Sequence, residues 1–226
     1  YKIFKKINSK ASMEVLSRCA SLSEFKRVRF ETLKELIRKS SQGHRGIREA
    51  QMLKELHSSS IGIDSSALCF SIKQTIRRIL VIKDQVCDIE LEITHHVDES
   101  QTTLLSVPGI GYTTGAIILA EIGDIHRFKT DDQLLAYAGL DPSVYQSGNF
   151  EGSYKISKRG SSLLRFAIYH VAQAAVKFDP VFKAYYLKKK AEGKRHRVII
   201  GHVTKKMLRV IRSILKNHTT YSLNTH

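Results

Sequence analysis

Hydrophobic side chains recur three and four residues apart along most of the 226-residue chain, which is the spacing of one helix face. Residues 11–57 show this spacing with little apolar weight, and Gly43, Gly46 and the serine run 58–60 mark breaks or a linker. Proline is scarce and tryptophan is absent, which suits helices better than a sandwich or a barrel. The pattern predicts a mainly α fold.

A seven-residue repeat sets residues 66–97 apart from the rest of the chain. Its first core position holds Ile72, Ile79, Val86 and Ile93, and its second holds Leu68, Thr75, Ile82 and Ile89. The repeat predicts a long helix and favours a coiled-coil seam, because a helix of about 30 residues is long for a compact domain. The alternative is a long amphipathic helix packed within its own chain.

The run Ile61–Asp64 looks like the first strand of a ribonuclease-H-like nuclease, in which the aspartate would bind a metal. Such a strand needs a following partner of alternating apolar residues, whereas the long helix follows here at once. Asp64 is therefore predicted to be a linker residue or a helix cap, and we reject it as a metal ligand.

Shorter elements are predicted after Asp98. The predicted helices are Thr102–Val107, Tyr112–Ile122, Asp131–Ala138, Ser161–Val176, Pro180–Ala191 and Arg197–Lys216. Residues 140–158 are rich in Gly, Ser, Asn and Pro and are predicted to be loop. The chain thus divides into a helical N-terminal segment (1–60), a coiled-coil helix (61–98) and a C-terminal module with a basic helical tail (99–226).

Positive charge is concentrated in the C-terminal half. The chain carries 37 Lys and Arg against 21 Asp and Glu, for a net charge of +16. Residues 155–216 hold 17 basic residues and only two acids, Asp179 and Glu192. Such a concentration indicates a polyanionic partner. No stretch reaches the roughly 18 consecutive apolar residues of a spanning helix, which excludes a membrane partner of that kind.

The three cysteines are widely spaced and contain no CxxC pair. They offer neither a disulfide framework nor a zinc site, so a reducing, intracellular compartment is the default expectation. The basic N-terminus lacks the apolar run of a secretory signal.

The Pro108-Gly109-Ile110-Gly111 turn between two apolar helical runs fits a helix-hairpin-helix. Glycine permits close backbone approach, so amide groups at Gly109 and Gly111 are candidates to face a DNA phosphate at the start of the second helix. Such a contact positions the DNA backbone and reads no sequence. A tight turn between two core helices is the alternative.

Ser147 precedes the strongly basic region and is followed by a glycine. A serine hydroxyl can attack phosphorus and form a phosphoserine link. Ser157 is a candidate cap for the helix that follows. The candidates to neutralise phosphate lie downstream: Lys155, Lys158, Arg159 and Arg165. On spacing alone, a turn serine and a solvated charged face explain these residues equally simply or better.

Taken together, these motifs resemble the transposases of the insertion-sequence 110/116/902 family, whose better-known members are RNA-guided recombinases. The resemblance covers about residues 104–216 and rests on SVPGIGYTTGAIILAEIGDIHRF, AYAGLDPSVYQSG, ISKRG with LLR, and AYYLKKKAEGKRHRVIIGHVTKKMLRVI. It implies that Ser147, in YQSG, matches the catalytic serine of the family. The heptad helix fits the coiled coil of the family.

The resemblance also implies a metal and partners. Family members carry a ribonuclease-H-like domain with four metal-binding acids, and each active site is thought to combine the acids of one subunit with the serine of another. That domain is not recognisable here, and the sequence begins without Met, so the chain is expected to supply the serine half alone. Mg²⁺ is expected only with the acidic domain, and no cofactor or metal ligand is expected in this chain.

The expected partners are double-stranded DNA, a structured guide RNA and a second copy of the chain joined through the coiled coil, in the bacterial cytoplasm at the nucleoid. The predicted function is DNA transposition or site-specific recombination by a serine nucleophile, incomplete without the acidic domain. Whether this chain alone is an enzyme is left open.

Two other classes of function stay open. One is a non-catalytic DNA-binding module, a truncated transposase remnant in which Ser147 is a turn residue. The other is a scaffold in which the coiled coil oligomerises and the charge is incidental. A steep salt dependence of DNA binding would count against the scaffold. Covalent chemistry alone separates the first two classes.

Overall fold

The structure is a computed structural model that describes residues 3–4, 6–58, 64–143, 146–147, 150–151 and 155–222. Its described part is mainly α-helical, which confirms the predicted fold class, with ten α-helices and four strands of two residues each. The chain divides into two compact units, Tyr1–Asp88 and Ile89–His226. The predicted three-part division at residues 60 and 98 stays a prediction.

The first unit packs short helices around a small apolar core. Val15, Leu33, Ile37 and Ala50 are its buried residues. Its elements are α1 (Lys10–Arg18), α2 (Leu22–Arg27), α3 (Phe30–Ser40), α4 (Ile47–Ser58) and the first part of α5 (Ser66–Glu99).

Ser21 caps the start of α2 and separates it from α1, at a place where the apolar spacing of residues 11–57 predicts no break. The Ser21 hydroxyl accepts a hydrogen bond from the Glu24 backbone N–H at 3.2 Å, and the Glu24 carboxylate accepts one from the Ala20 backbone N–H at 2.9 Å. Ser21 satisfies an amide that the first turn of α2 leaves without a partner, and Glu24 satisfies the amide of the residue before the cap. Glu24 also forms an ion pair with Lys73 of α5, which lowers the pKa of the carboxyl group.

Helix α5 runs for 34 residues without a break, which confirms the predicted long helix. Within the first unit, Ile72, Ile76 and Ile79 line an apolar cavity of about 370 Å³ together with Met13 and Leu16 of α1. Residues 80–92 are all exposed, although they include several apolar side chains of the predicted seam. Coiled-coil pairing itself stays a prediction.

Asp64 lies just before α5. Its carboxylate accepts a hydrogen bond from the Ser23 backbone N–H at 3.0 Å, in the first turn of α2. Asp64 therefore satisfies an amide of a helix that is distant in sequence, whereas α5 is capped by Ser65, whose hydroxyl accepts the Leu68 N–H at 3.3 Å.

The second unit is built around α8 (Ser162–Phe178), which buries six side chains. Three of them are alanines, which allow neighbouring helices to approach α8 closely. The helices α6 (Tyr112–Ile122), α9 (Pro180–Ala191) and α10 (His196–Asn217) pack against α8, and α7 (Asp131–Tyr137) packs against α10. A 3₁₀ turn, Thr103–Ser106, precedes α6, and a second one, Ile125–Arg127, precedes α7.

The chain after α10 returns to the core of the second unit. The Tyr221 backbone N–H donates to the Ser106 hydroxyl at 2.8 Å, and the Tyr221 hydroxyl donates to the buried Asp179 carboxylate at 2.7 Å. The other oxygen of Asp179 accepts the Phe182 N–H at 2.9 Å and so caps α9. Burial and the hydrogen bond to Asp179 raise the pKa of Tyr221.

In the part of the chain that the structure describes, no helix has both the length and the apolar composition needed to cross a membrane.

Candidate functional site

Ser147 lies in a short strand where the sequence predicts loop. The strand β2 (Gln146–Ser147) pairs antiparallel with β3 (Phe150–Glu151), and the register places Ser147 opposite Phe150. A second pair, β1 (Pro142–Ser143) with β4 (Lys155–Ile156), encloses the first in sequence, and its register places Lys155 opposite Ser143. We call these two nested pairs the serine hairpin. Ser147 belongs to the inner pair, which lies farther along the chain from the preceding α7 and the following α8 than the outer pair does.

The serine hairpin stands on backbone contacts between residues 137–141 and residues 157–161, which we call the hairpin base. The Ser157 amide donates to the Asp141 carbonyl at 2.9 Å, the Lys158 amide to the Gly139 carbonyl at 3.0 Å, and the Ser161 amide to the Tyr137 carbonyl at 2.6 Å. These bonds join the end of α7 to the start of α8 and so fix the two ends of the serine hairpin.

Ser157 does not cap α8, contrary to the sequence interpretation. Its hydroxyl donates to the Asp141 carboxylate across the hairpin base. The cap is Ser161, whose hydroxyl oxygen accepts the Leu164 N–H at 3.0 Å and whose proton goes to Glu121 of α6 at 2.7 Å. Serine occurs at both positions, so the type of residue alone did not separate a cap from a partner across the base.

Two glycines let the strands of the hairpin base approach closely. A Cβ on Gly160 would lie 2.0 Å from the Tyr137 carbonyl oxygen, well inside any van der Waals contact. Gly139 has a positive φ of 64°, and a Cβ there would lie 2.6 Å from a guanidinium nitrogen of Arg165. Sequence reasoning missed Gly160 as a site residue, although the KRG motif that contains it was already singled out.

Arg165 is part of this base. Its Nη1 donates to the Ala138 carbonyl at 2.9 Å and to the Ser161 carbonyl at 3.4 Å, and the residue is half-buried. A cation beside the last carbonyls of a helix offsets their partial negative charge. The structure therefore uses at least one nitrogen of Arg165 to join α7 to α8, where the sequence predicts a phosphate contact.

Lys158 and Arg159 are exposed at the hairpin base. Lys158 adopts a positive φ of 56°, which turns the chain between β4 and α8. Neither side chain has an ion pair with a described residue. Both are therefore placed to meet an anion that approaches the base of the serine hairpin. For Lys155 the structure gives the backbone pairing in β4.

The two glycines of the Pro-Gly-Ile-Gly turn have different roles. Gly109 has a φ of +93°, and a Cβ there would lie 2.8 Å from the Ala174 Cβ and 3.0 Å from the Val171 carbonyl of α8. Packing against α8 is thus a sufficient reason for glycine at this position. Gly111 is open, with no atom within 4 Å of an added Cβ, and it caps α6.

The start of α6 is accessible, since Gly111, Tyr112 and Thr113 are exposed. The Gly111 amide donates to the Thr114 hydroxyl at 3.0 Å, so the amides left for a ligand are those of the first turn that follows. The element before the turn is the 3₁₀ turn Thr103–Ser106, where the sequence predicts a helix over Thr102–Val107. The helix-hairpin-helix therefore stays a prediction.

A cluster of cations on α10 escaped sequence reasoning. Lys205, Lys206 and Arg209 lie on the face of α10 opposite its nine buried residues and border an open cavity of about 590 Å³. We call this cavity the basic groove; its lining is Tyr185, His202, Lys205, Lys206, Arg209, Val210 and Ser213. The helical spacing of these cations was the signal available in the sequence.

The described residues do not form a metal centre. No three His, Cys, Asp or Glu side chains among them lie close enough together to hold a metal ion. Near the hairpin base, Asp141 accepts from Ser157 and Glu121 accepts from Ser161, so both carboxylates already have protein partners. This part of the chain does not fit Mg²⁺.

Comparison with known proteins shows that this region is similar to one family. Residues 101–187 match the family model described as Transposase IS116/IS110/IS902 family. The match contains the Pro-Gly-Ile-Gly turn, the serine hairpin, its base and α8. Through this region the chain is similar to that family of transposases.

The relatives are proteins of mobile elements and of gene inversion. The insertion element IS900 uncharacterized 42 kDa protein of Mycobacterium paratuberculosis is 35% identical over 119 residues, which are 52% of this chain and 30% of the relative. The transposase for insertion sequence element IS1111A of Coxiella burnetii is 40% identical over 88 residues, 39% of this chain and 24% of the relative.

The pilin gene-inverting protein of Moraxella bovis is 27% identical over 139 residues, 60% of this chain and 43% of the relative. The chain therefore spans less than half the length of each of these three relatives.

Proposed function

We propose that this chain supplies the nucleophile for DNA transposition or site-specific recombination, and that the nucleophile is the Ser147 hydroxyl. One observation carries the proposal: Ser147 lies within the family match, on the inner strand pair of a hairpin whose base joins two helices of the core. A base built from backbone hydrogen bonds holds a reactive group in place better than an unpaired loop would. Two exposed cations, Lys158 and Arg159, lie at that base.

The proposed reaction conserves phosphodiester bonds. The Ser147 oxygen gives up its proton and attacks phosphorus, one P–O bond to a deoxyribose breaks, and the leaving oxygen takes a proton and departs as a hydroxyl. The product is a phosphoserine diester, which a sugar hydroxyl can attack in turn to restore a DNA strand and free the serine. Lys158 and Arg159 would offset the negative charge that develops on the phosphate oxygens.

Further components are proposed from the family resemblance. The Mg²⁺ would be held by the acids of a ribonuclease-H-like domain, and a structured RNA would select the DNA. The exposed apolar stretch of α5 (residues 80–92) would pair with a second copy of the chain, so that the serine of one copy meets the acids of another. The chain by itself would then bind DNA and leave recombination incomplete.

A non-catalytic DNA-binding module is the second candidate. The observation that favours it is the basic groove on α10, which lies outside the serine hairpin and needs no serine chemistry to hold a polyanion. In this function Ser147 would be an ordinary residue of a short strand.

A trapping assay with nicked suicide DNA substrates tests the proposal. The chain is complemented by the acidic domain and guide RNA of a relative, and protein–DNA adducts are resolved on a denaturing gel. After nuclease digestion, mass spectrometry locates the remaining phosphonucleotide. We expect an adduct on the peptide that contains Ser147, and its loss in Ser147→Ala.

Ser143→Ala is the matched control, because Ser143 lies in β1 of the same hairpin. It should still form the adduct. DNA binding without any adduct, under conditions in which the relative's own serine domain reacts, would leave the non-catalytic module as the function of this chain.

A further inference from the structure

The basic groove combines cations from one face of α10 with aromatic rings from α9. His202, Lys205, Lys206, Arg209 and Ser213 recur three and four residues apart, so they follow one stripe of the helix. At about 1.5 Å per residue, this stripe extends for roughly 16 Å. Each strand of a duplex carries one phosphate per about 3.4 Å of axis, so the groove is long enough to follow several phosphates.

Lys206 lines the groove and lies over two aromatic side chains. Its ammonium nitrogen lies 5.2 Å from the centre of the Tyr185 ring and 5.7 Å from the centre of the buried Phe182 ring. The rings shield one side of the ammonium from water and attract it through their electron-rich faces. A cation fixed in this way loses less conformational freedom on binding an anion than a free surface lysine does.

The acids of this region have other partners. Residues 155–216 contain two acids, Asp179 and Glu192. Asp179 is buried and bonded to Phe182 and Tyr221, while Glu192 pairs with Lys189 at 2.9 Å and with Lys194 at 3.7 Å. Among the described residues, the groove cation Arg209 pairs with Asp131 at 3.9 Å, whereas neither Lys205 nor Lys206 has an ion pair with an acid.

His202 reports the resulting positive potential. Burial lowers its pKa first, and repulsion from Lys189, Lys194 and Lys205 lowers it further, against a smaller opposite effect of Glu192. Repulsion among unbalanced charges costs folding free energy, and a bound polyanion would remove that cost. The groove therefore has the shape, the charge and the fixed cation of an anion site, and its two lysines are not neutralised by acids within the described part of the chain.

We propose that the basic groove between α9 and α10 binds the phosphodiester backbone of a nucleic acid, as a second contact beyond the serine hairpin. The inference rests on the proposed function, because it names a further surface for the same class of substrate. Contacts of this kind reach phosphates and read no bases, so the groove would position a duplex without selecting its sequence.

Binding measurements on Lys205→Gln/Lys206→Gln test the proposal. The probes are a 20-base-pair DNA duplex and an RNA duplex of the same sequence, titrated with the intact chain between about 50 and 200 mM salt. We expect the affinity for at least one duplex to fall about tenfold or more at physiological salt. The slope of log affinity against log salt should become shallower by about 1.8, since about 0.9 of slope is lost for each phosphate contact.

Two further variants separate binding from folding and from net charge. Lys205→Arg/Lys206→Arg keeps both charges and should restore most of the affinity, and thermal unfolding checks that each variant is folded. Lys10→Gln/Lys26→Gln removes two exposed lysines of the first unit and should bind like the parent chain.

The groove proposal is overturned if the groove variant binds both duplexes as tightly as the control variant, or if both variants lose affinity equally. In either case the proposed function of Ser147 stands. If the parent chain binds neither duplex at any salt concentration, the groove proposal and the proposed function both fail.

Discussion

Single residues at the hairpin base determine how closely α7 and α8 approach. At Gly139 and Gly160 the two backbone segments lie in close contact, and Arg165 donates to two carbonyls across the same junction. In the sequence, this region was recognised as a candidate site through its family resemblance. They did not show that Gly160 lies against Tyr137, because that contact depends on tertiary folding and has no periodicity.

Gly160→Ala should disrupt the second unit. The new Cβ would lie 2.0 Å from the Tyr137 carbonyl oxygen, so α7 and α8 must separate at the hairpin base. We expect a loss of about 3 kcal/mol or more in the free energy of unfolding, which is the upper range for overpacking. Thermal unfolding followed by circular dichroism measures it.

Gly201→Ala is the control for this prediction. Gly201 lies inside α10 and has open space around an added Cβ. Alanine there should stabilise the helix by up to about 1 kcal/mol. Equal unfolding temperatures for the two variants would show that the hairpin base accommodates the added methyl group without a loss of stability.

Tyr221→Phe should reduce stability and change its dependence on pH. The substitution removes the donor to the buried Asp179 carboxylate, which we expect to cost about 1–2 kcal/mol at neutral pH. The pKa of Tyr221 is raised in the folded state, so the folded chain holds this proton more tightly than the unfolded chain. Its contribution is complete below the unfolded pKa of about 10 and is lost as the pH rises through the folded value.

Urea unfolding of the parent chain and of Tyr221→Phe between pH 8 and pH 11 measures this contribution. The parent should lose more stability than the variant above about pH 10. Identical slopes in the two proteins would mean that the hydroxyl proton is not held by Asp179 in the folded chain.

At the scale of elements, helices with clear start and stop signals were predictable. The predicted α9 is Pro180–Ala191, as observed, because Asp179 caps it and Pro180 occupies its first position. The strands of the serine hairpin were not predictable, since two-residue strands in a polar, glycine-rich stretch are too short to show alternation. The basic stripe of α10 was readable from helical spacing but merged with the general charge excess of the region.

The break between α1 and α2 makes Glu24 a useful test of the first unit. Glu24→Gln keeps an oxygen for the Ala20 amide but removes the charge that pairs with Lys73. The pKa of Glu24 is lowered in the folded state by Lys73 first, so its contribution is present above the unfolded pKa of about 4.3 and is lost below it. We expect a lower unfolding temperature for Glu24→Gln at pH 7 and a shrinking difference towards pH 3.5.

Glu35→Gln provides the comparison for Glu24→Gln. Glu35 pairs with Arg38 one turn away on an exposed face of α3, where salt and water screen the interaction. The unfolding temperature should stay unchanged at both pH values. A pH-independent difference between Glu24→Gln and the parent would assign the role of Glu24 to its hydrogen bond with Ala20 instead of its charge.

At the scale of the whole molecule, the two units present different surfaces. In the second unit the positive charge is concentrated in residues 155–216, and the sequence alone was enough to predict a polyanionic partner from this concentration. The heptad repeat of α5 was equally readable. The partner of the repeat could not be predicted, because a seam that packs against a second chain and a seam that packs within the same chain have the same period.

Helix α5 distinguishes these two possibilities by position. Ile72 and Ile79 line the cavity that α1 also borders in the first unit, whereas Ile82 and Ile89, at the second core position of the same repeat, are 57% and 59% exposed. Ile82→Glu/Ile89→Glu should therefore abolish self-association of the chain while leaving its helix content unchanged. Sedimentation equilibrium at micromolar concentrations measures the mass, and circular dichroism measures the helix content.

Val81→Glu/Leu91→Glu is the matched control, because both residues are similarly exposed, at 56% and 66%, but lie off the seam. If the seam forms a coiled coil, glutamates at core positions bury unpaired charge and separate the helices, while glutamates off the seam stay in water. The control should then keep the mass of the parent oligomer. A parent chain that sediments as a monomer, or variants that dissociate to the same extent, would show that the exposed part of α5 does not pair through this seam.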